Sequence, residues 1–251
     1  MSARPTRAPR LAPLGLATLL ALLLGAGSAA AQNLYLEGHF GGSEGTIDTT
    51  PDGVRVLATD VDASEDDDDA SIVGGASMGF RFPLTWALDT DLPRWMPDIH
   101  FRLEEEFAYG RDYDIFTENG FDRSNVENAS SLEAWSLMTN LLVEIPVYRS
   151  WAVVGGVGLG PAFLDGKLRN SFNELKGEDD DVRFAWQGMA GIEYAFDETV
   201  TMGFGYRFFD AEELKVNLST PNPPRPRGEM EFDLDAHEFM VRLRVNFYHF
   251  E

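Results

Sequence analysis

Near its end the chain alternates apolar and polar residues one for one. In His237 to Phe247 the odd positions are Phe239, Val241, Leu243, Val245 and Phe247. The even positions are Glu238, Met240, Arg242, Arg244 and Asn246. An extended strand sends these two sets to opposite faces, whereas a helix mixes them on every side. The same two-residue period predicts seven further strands. They are Asn33 to Phe40, Ala70 to Phe82, Asp98 to Tyr109, Ser131 to Val147, Trp151 to Phe163, Val182 to Phe196 and Val200 to Phe209. Glu105 interrupts the pattern by falling on the apolar parity of its segment. A bulge that resets the phase, or a shifted register, is expected there.

The eight segments are about 8 to 17 residues long, around the 9–11 that a tilted strand needs to cross a bilayer. Their connections alternate in length. Residues 41–69, 110–130, 164–181 and 210–234 predict long loops, and 83–97, 148–150 and 197–199 predict shorter turns. Long loops on one side and short turns on the other is the layout of a meandering transmembrane barrel.

The start of the chain reads differently. Arg4, Arg7 and Arg10 precede an apolar run from Leu11 to Gly27, and Ser28-Ala29-Ala30-Ala31 supplies small residues for cleavage. This is the pattern of an export signal, so residues 1–31 are expected to be removed and residues 32–251 to form one domain. No later apolar run is free enough of Gly, Pro and charge to cross a membrane as a helix. The chain has no cysteine, which leaves an exported protein without disulfides. Its formal charge of −22 gives it no electrostatic reason to bind nucleic acid.

The two faces have unequal content. One is rich in Phe, Trp, Tyr, Leu and Val on every segment. The other holds glycines (Gly156, Gly158, Gly160, Gly203, Gly205) and charges of both signs: Glu37, Arg81, Arg102, Glu104, Glu106, Glu144, Glu193, Arg207, Glu238, Arg242 and Arg244. Eight strands enclose a space that side chains just fill, so small residues and paired charges suit the inside and apolar residues the lipid. Unpaired strand edges cost several kcal/mol per group in hydrocarbon, which requires the sheet to close. Tyr109, Trp135, Trp151, Tyr194, Phe208 and Tyr248 fall near strand ends, where aromatic girdles belong.

These features are similar to those of the small outer-membrane β-barrel family, of the OmpA transmembrane-domain and opacity-protein type. The resemblance covers residues 33 to 250. It rests on the signal, the eight segments, the strand Met202-Gly-Phe-Gly-Tyr-Arg-Phe208 and the last strand Val241-Arg-Leu-Arg-Val-Asn-Phe247. It implies an all-β fold, an eight-stranded antiparallel up-and-down transmembrane barrel located in a Gram-negative-type outer membrane. It also implies lipopolysaccharide as lipid neighbour and barrel-assembly machinery as partner during biogenesis. That machinery reads a terminal aromatic; Phe247 fits, although Tyr248 to Glu251 follow it. A monomer is expected.

Candidate chemistry lies between the strands. Asp60 to Asp69 holds seven acidic residues in ten, and Asp60, Asp62, Asp66 and Asp68 are candidate ligands for a divalent cation because hard cations take several carboxylate oxygens. The spacing lacks the Gly and closing Glu of an EF-hand, so a solvated acidic loop, or weak cation bridges to neighbouring lipopolysaccharide, is the plainer expectation. Glu178 to Asp181 is a second acidic run on the same side, and Pro221 to Pro226 predicts a stiff loop tip. Gly155 to Gly160 resembles a nucleotide loop but lies within a strand pattern with no Lys nearby.

Some barrels of the family modify lipid A, which requires a base beside a nucleophile. The four histidines are His39, His100, His237 and His249. By parity His39 points inward, paired with Glu37, and His237 points outward, so they share no site. The expectation is a non-catalytic barrel without a cofactor that serves envelope integrity or surface interaction through acidic loops. A lipid A-modifying enzyme and a narrow pore are the alternatives.

Overall fold

Eight strands close into a ring. The structure, a computed structural model, describes residues 34–52, 55–56, 59–60, 65–85, 93, 96–118, 127–170, 176–221 and 224–247. In chain order the strands are β1 (Leu34–Asp52), the two-residue β2 (Arg55–Val56) and β3 (Thr59–Asp60), β4 (Glu65–Pro83), β5 (His100–Glu118), β6 (Glu127–Tyr148), β7 (Trp151–Asn170), β8 (Lys176–Ala195), β9 (Val200–Pro221) and β10 (Pro224–Asn246). β2 and β3 pair only with each other, in the connection between β1 and β4. The remaining eight run antiparallel to their sequence neighbours, and β1 closes the barrel on β10. All eight predicted strands are present, and the predicted export signal lies outside the described residues.

The strands are taller than their alternating segments, at 19 to 23 residues each. Most of what reads as long loops is therefore paired strand. With a rise of about 3.4 Å per residue and a tilt near 40°, 20 residues climb about 50 Å, roughly twice the ~25 Å apolar band of such barrels. The upper half stands clear of the membrane.

Side-chain chemistry inverts at that boundary while the strands continue. In β10 the inward residues from the membrane upward are Arg244, Arg242, Met240 and Glu238, then Ala236, Leu234 and Phe232, all buried. Outward lie Leu243, Val241 and Phe239, the last 67% exposed, then Asp235 and Asp233. β6 repeats the change: Trp135 faces out at the girdle and exposed Glu133 lies directly above it, while Leu132 and Ala134 turn inward. Below the boundary the solvent of the outer face is lipid, so apolar residues face out; above it the solvent is water and the ordinary pattern of an apolar core returns. Ile47, Tyr113, Leu132, Leu164, Phe209, Leu214, Phe232 and Leu234 belong to that upper core.

Local chemistry sets the turns and the irregularities. Asp197 ends β8 by accepting hydrogen bonds from the backbone N–H groups of Thr199 (2.7 Å) and Val200 (2.8 Å), an Asx-type turn. Tyr148 pairs with Trp151 across the two-residue turn Arg149-Ser150, with Arg149 at a φ of 48°. In β5 the pairing jumps from Ala108 to Arg111, and Gly110 takes a φ of 102°. This bulge, and not one at Glu105, resets the phase: Arg102 to Ala108 face inward on even positions, Arg111 and Tyr113 on odd ones. A second shift, opposite Phe232 and Leu234, does the same in β9 and turns Leu214 and Val216 inward.

Candidate functional site

Within the membrane band the lumen is a column of ion pairs. Arg111 donates to Glu238 (2.6 Å) and to Ser136 (2.9 Å), and lies over the ring of Phe209 at 3.8 Å. Arg207 bridges Glu238 and Glu106. Asn140 donates to Glu106 (2.9 Å) and accepts from Gln187 (2.8 Å). Lower down, Arg102 contacts Glu193 (2.6 Å), Glu104 (2.7 Å), Glu37 (3.5 Å) and Glu144 (3.6 Å), while Arg242 reaches Glu37 at 3.4 Å. Arg244 and Arg81 complete the column on Glu144 at 3.3 and 2.7 Å. Arg102, Arg111 and Arg207 are fully buried. A carboxylate or guanidinium taken out of water must be paired and hydrogen-bonded, and each of these glutamates meets at least one arginine.

The glycines opposite this column make room for it. A Cβ on Gly158 would lie 1.9 Å from Asn140 Oδ1, and one on Gly79 would lie 2.3 Å from the Tyr35 ring. The end that carries the short turns opens into a pocket of about 380 Å3 that includes Arg81, Glu144, Thr201 and Arg244. The other end is sealed by the upper apolar core.

The alternating pattern placed eleven charged residues inside, and the structure brings them together there. Arg111 escaped that reading because residues 110–130 read as a loop while β5 runs on to Glu118, and Tyr35, Asn140 and Gln187 carry no charge to mark them. His39 does point inward, but its ionic neighbour is Glu106 at 3.9 Å, not the expected Glu37; two residue rises, about 7 Å, separate the backbones of same-face neighbours on one strand, whereas the lumen brings β5 round to meet it. His237 points outward and shares a 2.6 Å hydrogen bond with the Tyr206 hydroxyl. His100 contacts the Asp98 carbonyl (2.8 Å) at the start of β5, and His249 lies outside the described residues. Glu105 faces lipid and accepts a hydrogen bond from Thr139 Oγ1 at 2.7 Å.

The acidic residues form the other notable feature. Asp60 lies in β3, and Asp62 is outside the described residues. Asp66 and Asp68 lie in β4, at register with Asp48 and Thr46 of β1. Among the described residues, no group of three or more His, Asp or Glu has an arrangement that could hold a metal ion. The second acidic run, Glu178 to Asp181, is part of β8 and not a loop. With Asp112, Glu133 and Asp165 it rims a groove of about 930 Å3 that also includes the girdle residues Tyr109, Trp135 and Phe163. The rings of Trp135 and Phe163 stack there at 3.7 Å.

Farther round the same collar, Asp235 of β10 pairs with Asp210 of β9. Partial burial, then the facing Asp210 carboxylate, push Asp235 above the usual carboxylate range. Asp233 is raised by the same two causes. Glu231, two residues higher on β10, is instead held down by its hydrogen bond to Lys215. The collar is thus negative and only patchily neutralised.

Comparison with known proteins agrees with this architecture. Residues 17–247 match the model of the outer membrane protein β-barrel domain. An uncharacterized protein of Brucella abortus (strain 2308) is 27% identical over 173 residues, which cover 62% of this chain and 57% of that protein. The chain therefore spans just over half the length of that curated relative. Among solved structures, the outer membrane protein OprG from Pseudomonas aeruginosa shares the fold with a TM-score of 0.51 at 10% identity, over 88% of this chain and 99% of that one. Neisserial surface protein A aligns over 85% and 97% of the two chains, with a TM-score of 0.42 and 10% identity. A signature over nearly the whole chain, on a closed ring whose outer face is apolar only in a membrane-high band, shows that this chain belongs to the outer membrane protein β-barrel domain family and is an outer-membrane protein.

Proposed function

We propose that this protein is a non-catalytic, non-conducting barrel that supports envelope integrity by holding an acidic collar against the surface of the outer leaflet. The observation that carries this reading is the filled lumen. Ion pairs occupy it through the membrane band and an apolar core occupies it above, so that buried arginines stand where a channel needs water. The collar supplies the interaction. Asp112, Glu133, Asp165 and Asp180 project from the strands immediately above aromatic residues that sit at headgroup level. Carboxylates at that height face the phosphates of lipopolysaccharide, and divalent cations relieve the repulsion between the two layers. Such bridging is diffuse and needs no fixed chelate. His39, the one inward histidine among the described residues, is sealed in the lumen, which favours a structural role over acid–base chemistry there.

The test compares cells that express the protein with cells that lack it. Expressing cells should resist detergent better when Mg2+ is present, and the advantage should shrink when Asp112, Glu133, Asp165 and Asp180 are changed to Asn or Gln. Purified protein should give no steady conductance in planar bilayers, and lipid A should have the same mass in both strains. Stepwise conductance would replace this reading with the narrow pore, and a lipid A mass shift would replace it with the enzyme.

A further inference from the structure

We propose that the barrel self-associates in the membrane through the outer face of β4, β5 and β6, with Glu105 of β5 and Thr139 of β6 at the contact. Within the apolar band, the outward residues of the described strands are aromatic, aliphatic or small, apart from Glu105, Thr139 and, at the girdle, His237 with its Tyr206 partner. Glu105 lies four residues below the girdle residue Tyr109 and five above the start of β5. A rise of about 3.4 Å per residue at 35–45° tilt puts it about 10 Å beneath the girdle, deep in the hydrocarbon. Thr139 satisfies one carboxyl oxygen of Glu105, and the other makes no hydrogen bond among the described residues. An ionisable side chain at this depth marks a functional contact, because hydrocarbon offers nothing to bond with.

Lipid cannot be the missing partner, since acyl chains carry no polar group at that depth. A protein surface can, and a second copy of this chain meets the chemical requirement directly. A carboxyl group that holds its proton is both donor and acceptor, so two of them satisfy each other about a two-fold axis. The relief of the surface is self-complementary in the same sense. Leu103 and Phe107 flank Glu105 as a ridge on β5. Beside Phe107 lies a trough, above the Met78 that pairs with Glu105: Gly38 pairs with Ala76 across β1 and β4, Ala76 pairs with Phe107, and a Cβ on Gly38 would meet nothing within 4 Å. A two-fold operation sets the ridge of each copy into the trough of the other, the close approach through small residues on which membrane interfaces rely. This departs from the monomer expected from the sequence pattern.

The chain has no cysteine, so single cysteines report the contact cleanly. Leu103→Cys keeps Glu105 in place, and Phe204→Cys marks the exposed face of β9 on the far side of the ring. Oxidation of outer membranes should cross-link Leu103→Cys into a species of twice the monomer mass and leave Phe204→Cys monomeric. Adding Glu105→Leu, or Ala76→Phe to fill the trough, should cut the cross-linked yield at least tenfold. Each variant must first show the heat-dependent gel shift of a closed barrel. Equal yields at the two cysteines, a yield indifferent to Glu105→Leu, or a cross-linked band of some other mass would each overturn the proposal.

Discussion

Arg207 of β9 meets two glutamates, Glu106 of β5 and Glu238 of β10, with no water-exposed surface. Its replacement by Met leaves both carboxylates buried with fewer partners, and breaking such a pair costs about 3–5 kcal/mol. Arg207→Met should therefore lower the urea midpoint of the barrel in detergent micelles by that equivalent, and Glu106→Gln added to it should recover part of the loss. An unchanged midpoint would mean that the column is not tightly packed. These lumenal residues were legible in the sequence because a charge on the inward parity of a membrane strand has nowhere else to go. Which charge meets which was not legible, since Arg102 of β5 joins Glu37 of β1, Glu144 of β6 and Glu193 of β8, residues far apart in the chain that only the tertiary fold brings together.

At the scale of single strands, the bulge of β5 governs which residues seal the upper core. Gly110 sits at a φ of 102°, and a Cβ there would lie 2.3 Å from the Ile72 carbonyl oxygen. Gly110→Ala should cost about 1–3 kcal/mol and loosen the inward set of Arg111 and Tyr113; its unfolding midpoint and the protease resistance of the β5–β6 hairpin report both effects. The paired carboxylates of β9 and β10 give a pH signature. Asp233 and Asp235 have raised values in the folded barrel, so their ionised forms are disfavoured there relative to the unfolded chain. The penalty is fully present above those raised folded values. It is relieved as pH falls through the raised folded values toward about 4, the ordinary value for Asp in an unfolded chain. Asp233→Asn with Asp235→Asn should raise the melting temperature at pH 7 and low salt and have no effect near pH 3. A gain that persists at pH 3 would trace to something other than charge.

As a whole, the molecule has two tiers on one set of strands, an ion-paired tier within the membrane and a water-facing tier with an apolar core above it. Phe232 belongs only to the upper core. Phe232→Ala should cost about 3–5 kcal/mol there and open the upper strands to added protease, while the membrane tier keeps its heat-dependent gel shift. Loss of the shift together with the upper tier would show that the two fold as one cooperative unit.

The alternation of residues by itself determined the membrane strands, their number and the inward charges, because lipid outside and a narrow lumen inside sort side chains by parity regardless of partners. It failed above the membrane for the same reason. There water returns to the outer face, the parity of apolar residues inverts, and strands such as 164–170 and 210–221 read as loops. Arg111 was hidden with them, because residues 110–130 read as a loop, whereas Glu105 broke the pattern because a carboxylate does stand on the outward parity of its strand. The height of the strands, the positions of the bulges and the pairing of Arg102 and Arg207 were decided by the tertiary structure alone, since each depends on contacts between residues far apart in the chain.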